Sequence, residues 1–333
     1  MRELAIFVLT YVLVLPVAIY SQSVVHKEAA SKSRTVSGDP KVQREVAVTF
    51  DDLPGQIYRG DDLVRLQSLT KQLLHSITAN QIPAIGFVNE IKLHRQGEIK
   101  ERTELLRMWL DAGLELGNHT FSHIAIDQAS LEKYEEDLIR GESVIRELLA
   151  EKGKKLKFFR HPQLRTGPTA EYKRGLDQFL AARGYTIAPI TIDNNDFMFA
   201  ALYSDAKTHG DSATMKRIAD AYIPYMEGVF EFFEKLSADF LGYEVKQTLL
   251  LHANELNADH LDGLVRMMKR RGYKFISLEQ ALDDKAYKLP DAQVTKGLSW
   301  IHRWMIAKGL KMRPEPAEPK LITDEFQAWL SRQ

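Results

Sequence analysis

Short apolar runs alternate with longer amphipathic stretches along most of the chain. The apolar runs lie at residues 46–50, 82–88, 114–117, 156–159, 185–191, 248–251 and 273–278. They are continuous blocks, which is typical of parallel strands that are buried on both faces. The stretches between them have helical spacing and lie at residues 63–79, 101–112, 131–151, 169–182 and 259–271. The pattern therefore predicts an α/β fold in which seven parallel strands alternate with helices.

Two regions depart from this alternation. Residues 197–243 are rich in aromatic residues and helical in pattern, which predicts a helical insertion between the fifth and sixth strands. After Lys285 a tail follows, in which Trp300 and Trp304 are spaced so that a helix would dock both rings on the domain. The sequence thus predicts a domain at 45–285 with an insertion at about 197–243, and a tail at 286–333 that packs on it.

The amino terminus is a separate segment. Residues 4–20 form a nearly unbroken apolar run behind Arg2, as in a secretory signal peptide. The run also approaches the length of a membrane span, so residues 1–23 are interpreted as a signal peptide or a membrane anchor. A polar linker follows at 24–44. Both alternatives predict an exported protein, periplasmic or extracellular, with a membrane tether through residues 4–20 if the segment is retained.

Charge and cysteine content exclude several classes of function. The 333 residues carry 45 basic and 45 acidic side chains, and this balance argues against a nucleic-acid partner. The chain has no cysteine, which excludes a disulfide framework and a thiolate nucleophile. Any bound metal must therefore be held by His, Asp or Glu.

Ionisable side chains follow five of the seven predicted strands. They are Asp51, Asp52, His119, His123, Arg160, His161, Asp193, Asp196 and His252. In parallel α/β folds the carboxyl ends of the strands meet on one face, so these groups are expected to lie close together. The function of His161 stays open, because a residue between Arg and Pro also shapes a loop.

His119 and His123 are spaced so that one helical turn would direct both imidazoles at a single cation. The Asp51-Asp52 step offers a third ligand. A turn or a helix N-cap is the alternative use of two aspartates before Leu-Pro-Gly. However, adjacent carboxylates at the end of a buried strand repel each other unless a cation compensates them.

Four segments resemble the ordered motifs of polysaccharide deacetylases, the NodB-homology or carbohydrate esterase family 4 group. They are Thr49-Phe50-Asp51-Asp52, the run from Gly117 to His123, Phe159-Arg160-His161-Pro162, and the run from Leu249 to His252. The likeness spans residues 45–280. It implies a deformed seven-stranded (β/α) barrel of NodB type and a metal-dependent hydrolase, usually with zinc, that removes acetyl groups from carbohydrate.

The resemblance also implies individual roles. Asp52, His119 and His123 would be the ligands of a divalent metal, with Zn²⁺ as the expected ion. Asp51 would be the catalytic base, and Arg160 would orient it.

His252 would be the general acid. Residues 193–197 are similar to the family's Asp-x-x-Asp-Trp motif, so either Asp193 or Asp196 would orient His252. Gln163 and Leu164 stand where the family usually has an aromatic residue and glycine. In the family, the main chain at that aromatic residue helps to bind the oxyanion, so this donor is the least defined part of the predicted site.

The sequence thus predicts a hydrolase that removes N-acetyl groups from an acetylated glycan and releases acetate. A carbohydrate O-acetyl esterase would use the same metal site, and a catalytically inactive carbohydrate-binding member is a second alternative. The intact set of candidate groups argues against inactivity. A metalloprotease is disfavoured because the chain lacks His-Glu-x-x-His.

Overall fold

The computed structural model describes residues 44–58, 60 and 62–332. The predicted signal peptide or anchor at 1–23, and all of the predicted linker except its last residue, lie outside the described residues. Within the described ranges, no helix has both the length and the apolar character that crossing a membrane requires.

The described chain forms one sheet of parallel strands around β1. The strands are β1 (Arg44–Gln56), β2 (Ile85–Val88), β3 (Glu115–Asn118), β4 (Phe158–Phe159), β5 (Thr186–Ile187), β6 (Gln247–Asn254) and β7 (Tyr273–Phe275). β1 pairs with β2 on one edge and with β6 on the other, and its first residues pair with β7. From β2 the order continues through β3 and β4 to β5.

The sheet curls until the chain after β5 reaches β6. There the N–H groups of Thr191 and Ile192 donate to the carbonyl of Thr248, at 3.1 and 3.0 Å, and Leu250 N–H donates to the carbonyl of Ile192 at 3.2 Å. Strand pairing therefore runs from β1 through β2, β3 and β4 to β5, and the chain after β5 pairs with β6, which itself pairs with β1. This is the deformed (β/α) barrel of NodB type, and the prediction of the fold class is confirmed.

Helices pack around this sheet, and most begin where the sequence places a capping residue. They are α1 (Leu63–Ala79), α2 (Ile99–Asp111), α3 (Leu131–Arg140), α4 (Ser143–Glu151), α5 (Ala170–Ala182), α6 (Asp196–Thr208), α7 (Ser212–Leu241), α8 (Glu255–Arg270), α9 (Leu278–Leu282), α10 (Trp300–Ala307) and α11 (Lys320–Leu330). The side chains of Asp62, Ser130, Thr169 and Asn254, for example, each accept an N–H of the first turn of the helix that follows.

The single helix expected at 131–151 is two helices, α3 and α4, divided at Gly141. The loop after β3 packs against this point: a Cβ on Gly141 would lie 2.7 Å from the main-chain nitrogen of Phe121. The break therefore serves a close approach between the helix end and that loop.

Residues 197–243 contain most of α6 and all of α7, and the tail contains α10 and α11. Phe199 of α6 stacks on Tyr225 of α7, with ring centroids 5.1 Å apart. Phe326 of α11 meets Phe197 edge-on at 5.8 Å. In α10, Trp300 N–H donates to the carbonyl of Ile190 at 2.7 Å. These helices therefore lie beside the chain that leaves β5.

Helix α1 offers a matched pair of sites for testing the core. Leu73 is fully buried, whereas Val64 on the same helix is 74% exposed. Leu73→Ala should lower the free energy of unfolding by about 2–5 kcal/mol, because it leaves a cavity. Val64→Ala should change it by less than about 0.5 kcal/mol. Urea unfolding followed by circular dichroism measures both, and equal effects would contradict this packing.

Candidate metal and catalytic site

The carboxyl end of β1 directs two neighbouring carboxylates at different partners. Asp51 pairs in register with His252 of β6, and the register shifts immediately after it. Asp52 lies at this break with φ at 69°, a left-handed conformation that is uncommon for a residue other than glycine. Asp51 Oδ1 consequently lies 3.3 Å from Arg160 Nη1, whereas Asp52 Oδ1 faces two imidazoles.

Asp52, His119 and His123 form a cluster that could hold a metal ion. Asp52 Oδ1 lies 3.9 Å from His119 Nε2 and 3.8 Å from His123 Nε2. The structure brings together the three side chains that were predicted as metal ligands. The helical turn expected for the two histidines is wrong. Residues 119–123 form a loop, with φ at 64° for Thr120 and 57° for His123.

Helix α3 and the end of β3 hold this loop. Asp137 accepts Phe121 N–H at its carbonyl and Ser122 N–H at its carboxylate, both at 3.0 Å. Asn118 Oδ1 accepts Thr120 N–H at 2.7 Å. These bonds satisfy main-chain donors that a helical turn would pair internally, which explains how a loop directs both imidazoles to one point.

The donor atoms suit a divalent cation. His119 Nδ1 lies 2.8 Å from the carbonyl of Arg160, so Nδ1 carries the proton and Nε2 keeps its lone pair. Burial, followed by the neighbouring His123, holds the pKa of His119 well below its usual value and keeps this ring neutral. Two imidazole nitrogens and one carboxylate oxygen are a common ligand set for zinc.

Asp52 supports the same interpretation. Its Oδ1 is buried and accepts no hydrogen bond from the described residues, although Lys92 Nζ lies 3.7 Å away. Burial favours the neutral acid, but Lys92 and the three surrounding histidines together hold the pKa of Asp52 below its usual value. An ionised, buried oxygen without a hydrogen bond is costly, and a cation at this point would compensate it.

Arg160, the residue that follows β4, contacts Asp51 and fixes its position. The guanidinium is fully buried and donates to the Ala188 carbonyl at 2.7 Å and to Thr49 Oγ1 at 3.1 Å. Burial raises the pKa of Asp51 to about 6, and the charge of Arg160 opposes part of that rise. Asp51 is therefore ionised at neutral pH, yet its pKa is high enough for it to accept a proton.

His252 lies on β6 and is bound by Asp196. Its Nδ1 lies 2.6 Å from Asp196 Oδ1, and its main-chain N–H donates to Asp196 Oδ2 at 2.9 Å. Burial lowers the pKa of this imidazole, but the charge and hydrogen bond of Asp196 outweigh burial and raise it to about 9. His252 is therefore cationic at neutral pH.

Asp193, the other candidate for this contact, lies elsewhere on the rim. Its Oδ1 accepts the N–H of Asn194 at 2.9 Å, and the described residues show no hydrogen bond between Asp193 and His252. Burial, followed by the charge of Glu315, raises the pKa of Asp193 to about 7. The geometry thus assigns the contact with His252 to Asp196 and not to Asp193, a choice that the motif left open.

The candidate groups surround a cavity of about 390 Å³. Its lining includes Asp51, Asp52, His119, His123, Asp193 and His252. Arg160 and Asp196 lie behind this wall and contact it through Asp51 and His252. His161 is turned away: it lines a separate cavity of about 150 Å³ under the tail, and neither of its ring nitrogens has a hydrogen-bond partner among the described residues.

Sequence reasoning missed two residues around Asp52. Gln56 Nε2 donates to Asp52 Oδ2 at 3.0 Å, and Lys92 Nζ donates to the Asp52 carbonyl at 3.1 Å. The polar Asp-Asp step hid the extension of β1 to Gln56, because the apolar run ends at Phe50. Nothing in the sequence signals Lys92, since it lies in a short 3-10 turn after β2.

Removal of one predicted ligand tests the cation site. His119→Ala should lower the affinity for Zn²⁺ by about 100-fold or more, because loss of even an outer partner commonly costs 10–100-fold. His209→Ala is the control, since this side chain is 64% exposed and lies between α6 and α7, outside the cluster. Isothermal titration calorimetry of the metal-free proteins measures both, and equal affinities would remove His119 from the site.

Comparison with known proteins shows a family likeness over part of the chain. Residues 38–186 match the family model for polysaccharide deacetylases. No curated protein is significantly similar in sequence.

Among solved structures, a CE4 family pseudoenzyme from Bacillus anthracis is 15% identical, with a TM-score of 0.47 and coverage of 73% of this chain and 67% of that chain. A polysaccharide deacetylase from Bacillus cereus is 17% identical, with a TM-score of 0.47 and coverage of 71% of this chain and 92% of that chain. A family 4 carbohydrate esterase from Streptomyces lividans is 20% identical, with a TM-score of 0.45 and coverage of 72% of this chain and 95% of that chain. Residues 38–186, which include the three candidate metal ligands, are thus similar to the polysaccharide deacetylase family.

Proposed function

We propose that this protein removes N-acetyl groups from an acetylated glycan and releases acetate, with Zn²⁺ held by Asp52, His119 and His123. One observation carries the proposal: a candidate cation site, a buried carboxylate and a cationic imidazole line the same cavity. The catalytic domain would be residues 45–285. The apolar run at 4–20 supports export to the periplasm or the exterior, with or without a retained membrane tether.

A bound Zn²⁺ supplies Lewis acidity, which makes water more acidic and polarises the acetyl carbonyl. The three proposed ligands already have the protonation states that binding requires. His119 presents an unprotonated Nε2, and Asp52 is ionised. Little proton release should therefore accompany binding at neutral pH.

Asp51 is suited to take the proton of the attacking water. Its Oδ2 lies 3.7 Å from His119 Nε2, so the carboxylate borders the cluster without belonging to it. Arg160 lies at 3.3 and 3.4 Å from the two carboxylate oxygens and restricts their orientation. With a pKa raised to about 6, Asp51 accepts a proton more readily than an ordinary aspartate does.

His252 is suited to protonate the leaving amine. Amide cleavage requires this proton, because an amine anion is a very poor leaving group. Asp196 occupies Nδ1 and leaves Nε2 to face the cavity that His252 lines. At neutral pH, Asp51 is ionised and His252 is protonated, and this is the pair of states that base-then-acid catalysis needs.

Replacement of the proposed base separates chemistry from metal binding. Asp51→Asn should cut acetate release from N-acetylated chitooligosaccharides by ~100-fold or more, because the amide cannot take the proton. Zn²⁺ affinity should stay within a few-fold of the parent value, since Asp51 is outside the cluster. Enzymatic detection of acetate and metal titration measure the two quantities.

The parent protein provides the control for this experiment. Acetate release should stop with a chelator and return with added Zn²⁺. Acetate from O-acetylated but not N-acetylated glycans would replace the proposal with the esterase alternative. No acetate from either, with Zn²⁺ bound, would leave the inactive carbohydrate-binding alternative.

The contact between His252 and Asp196 predicts a pH effect. Because Asp196 raises the pKa of His252 to about 9, the protonated acid persists below that pH and is lost above it. Asp196→Asn removes the stabilising charge, so the basic limb of the kcat profile for the amide should move to lower pH. Asp193→Asn should move it less, since Asp193 makes no hydrogen bond to His252 among the described contacts. A basic limb that stays in place in Asp196→Asn would refute this role.

A further inference from the structure

Helix α10 in the tail brings a buried guanidinium to the loop that lines the cavity. Arg303 is fully buried, and Nη1 donates to Thr166 Oγ1 at 3.0 Å. Nη2 donates to the carbonyl of Leu164, and Nε donates to the carbonyl of Leu298 at 3.2 Å. Arg303 thus joins the tail to the loop after β4 through main-chain and hydroxyl oxygens.

The charge of Arg303 is not explained by packing. Burial lowers the pKa of Arg303 to about 10, although Asp291 and Asp193 oppose the shift, and the described residues show no ion pair between Arg303 and a carboxylate. A methionine or leucine would fill the space without removing a charge from water. The guanidinium carbon lies 4.5 Å from the ring centroid of Trp300, so that ring and the oxygens bound by the guanidinium N–H groups together compensate the buried charge.

The loop that it holds is strained. Gln163 and Leu164 have φ values of 55° and 53°, in the left-handed region that favours glycine. Two successive residues in that region persist only where the surroundings fix them. Gln163, Leu164 and Arg165 all line the cavity together with Asp51 and His252.

A second tail residue contacts the same loop. Gly297 lines the cavity, and a Cβ at this position would lie 2.2 Å from the main-chain oxygen of Gln163. The tail is anchored just beyond this point, because Ser299 Oγ donates to the carbonyl of Thr191 at 2.7 Å. The loop therefore packs against fixed chain and not against a mobile terminus.

We propose that Arg303 and Gly297 are positioning residues that set the main chain of the Gln163–Arg165 loop for catalysis. This inference rests on the proposed deacetylase function. The chain lacks the aromatic residue and glycine that the resemblance leads us to expect in this loop. The tail, which lies beyond the matched residues 38–186, takes over the task of holding it. A loop that is displaced by an ångström would present its main chain poorly to the reacting acetyl group.

Two conservative variants of the full chain test this inference. Arg303→Lys keeps the charge but loses the three-way contact, and Gly297→Ala forces the Gln163 carbonyl to move. With Zn²⁺ bound, each should lower kcat by about 10-fold or more, with a smaller change in KM and unchanged metal affinity. Matched controls are Arg313→Lys, an exposed residue of the same tail, and Gly228→Ala, where a Cβ meets no atom within 4 Å.

The choice of substrate distinguishes this role from that of the acid. The loop variants should lose the same factor on an N-acetylated chitooligosaccharide and on 4-nitrophenyl acetate, because both pass through the same attack on the carbonyl. His252→Ala should lose far more on the amide, since nitrophenolate leaves without a proton. A loss confined to the amide, or accompanied by an equal loss of Zn²⁺ affinity, would overturn the positioning role. So would kcat values equal to those of the controls.

Hydrogen–deuterium exchange tests the structural half independently of activity. Arg303→Lys should speed exchange in peptides that span residues 162–166 while the strands keep their protection, whereas Arg313→Lys should not. Unchanged exchange in the loop would overturn the inference. An inactive parent protein would instead overturn the proposed function, and with it the catalytic consequence, while the exchange result still decides whether Arg303 holds the loop.

Discussion

The structure of the site depends on placing two adjacent carboxylates at the buried end of one strand. Asp51 and Asp52 are 3% and 6% exposed, so each must find a compensating charge inside the protein. The register break after Asp51 allows the two side chains to face different partners. Arg160 compensates one, and the cluster of imidazoles with Lys92 surrounds the other. The proposed base and the proposed cation site are therefore neighbours that result from one local distortion of β1.

The sequence predicted the fold well because burial of parallel strands leaves a direct trace in hydrophobicity. Each of the seven apolar runs overlaps a strand, but the runs could not show that β1 continues through two aspartates to Gln56. The spacing of His119 and His123 identified the correct pair with the wrong backbone, because a four-residue interval fits a loop as well as a helical turn. The loop conformation depends on contacts with Asp137 of α3 and with Gly141, which directly follows that helix.

The site combines residues inside the segment that matches the family model with residues outside it. The matched residues 38–186 supply Asp51, the three proposed ligands and Arg160. His252 and its partner Asp196 come later, as does the tail that contacts the loop after β4. The motif at 193–197 left its two aspartates equivalent, since only the fold shows which one reaches the imidazole. Motifs thus identified the chemical groups, whereas their supporting contacts depended on tertiary structure.

The central place of β1 has a consequence for biogenesis. Thr49 Oγ1 bonds to the carbonyl of Leu249, 200 positions along the chain, and the first residues of β1 pair with β7 still later. During synthesis, β1 has neither of these neighbours until residues 247–254 and 273–275 have left the ribosome. Such high contact order slows folding and leaves an apolar edge available to other nascent chains. The protein would therefore complete its candidate site in a late, concerted step, and prematurely terminated products would lack it.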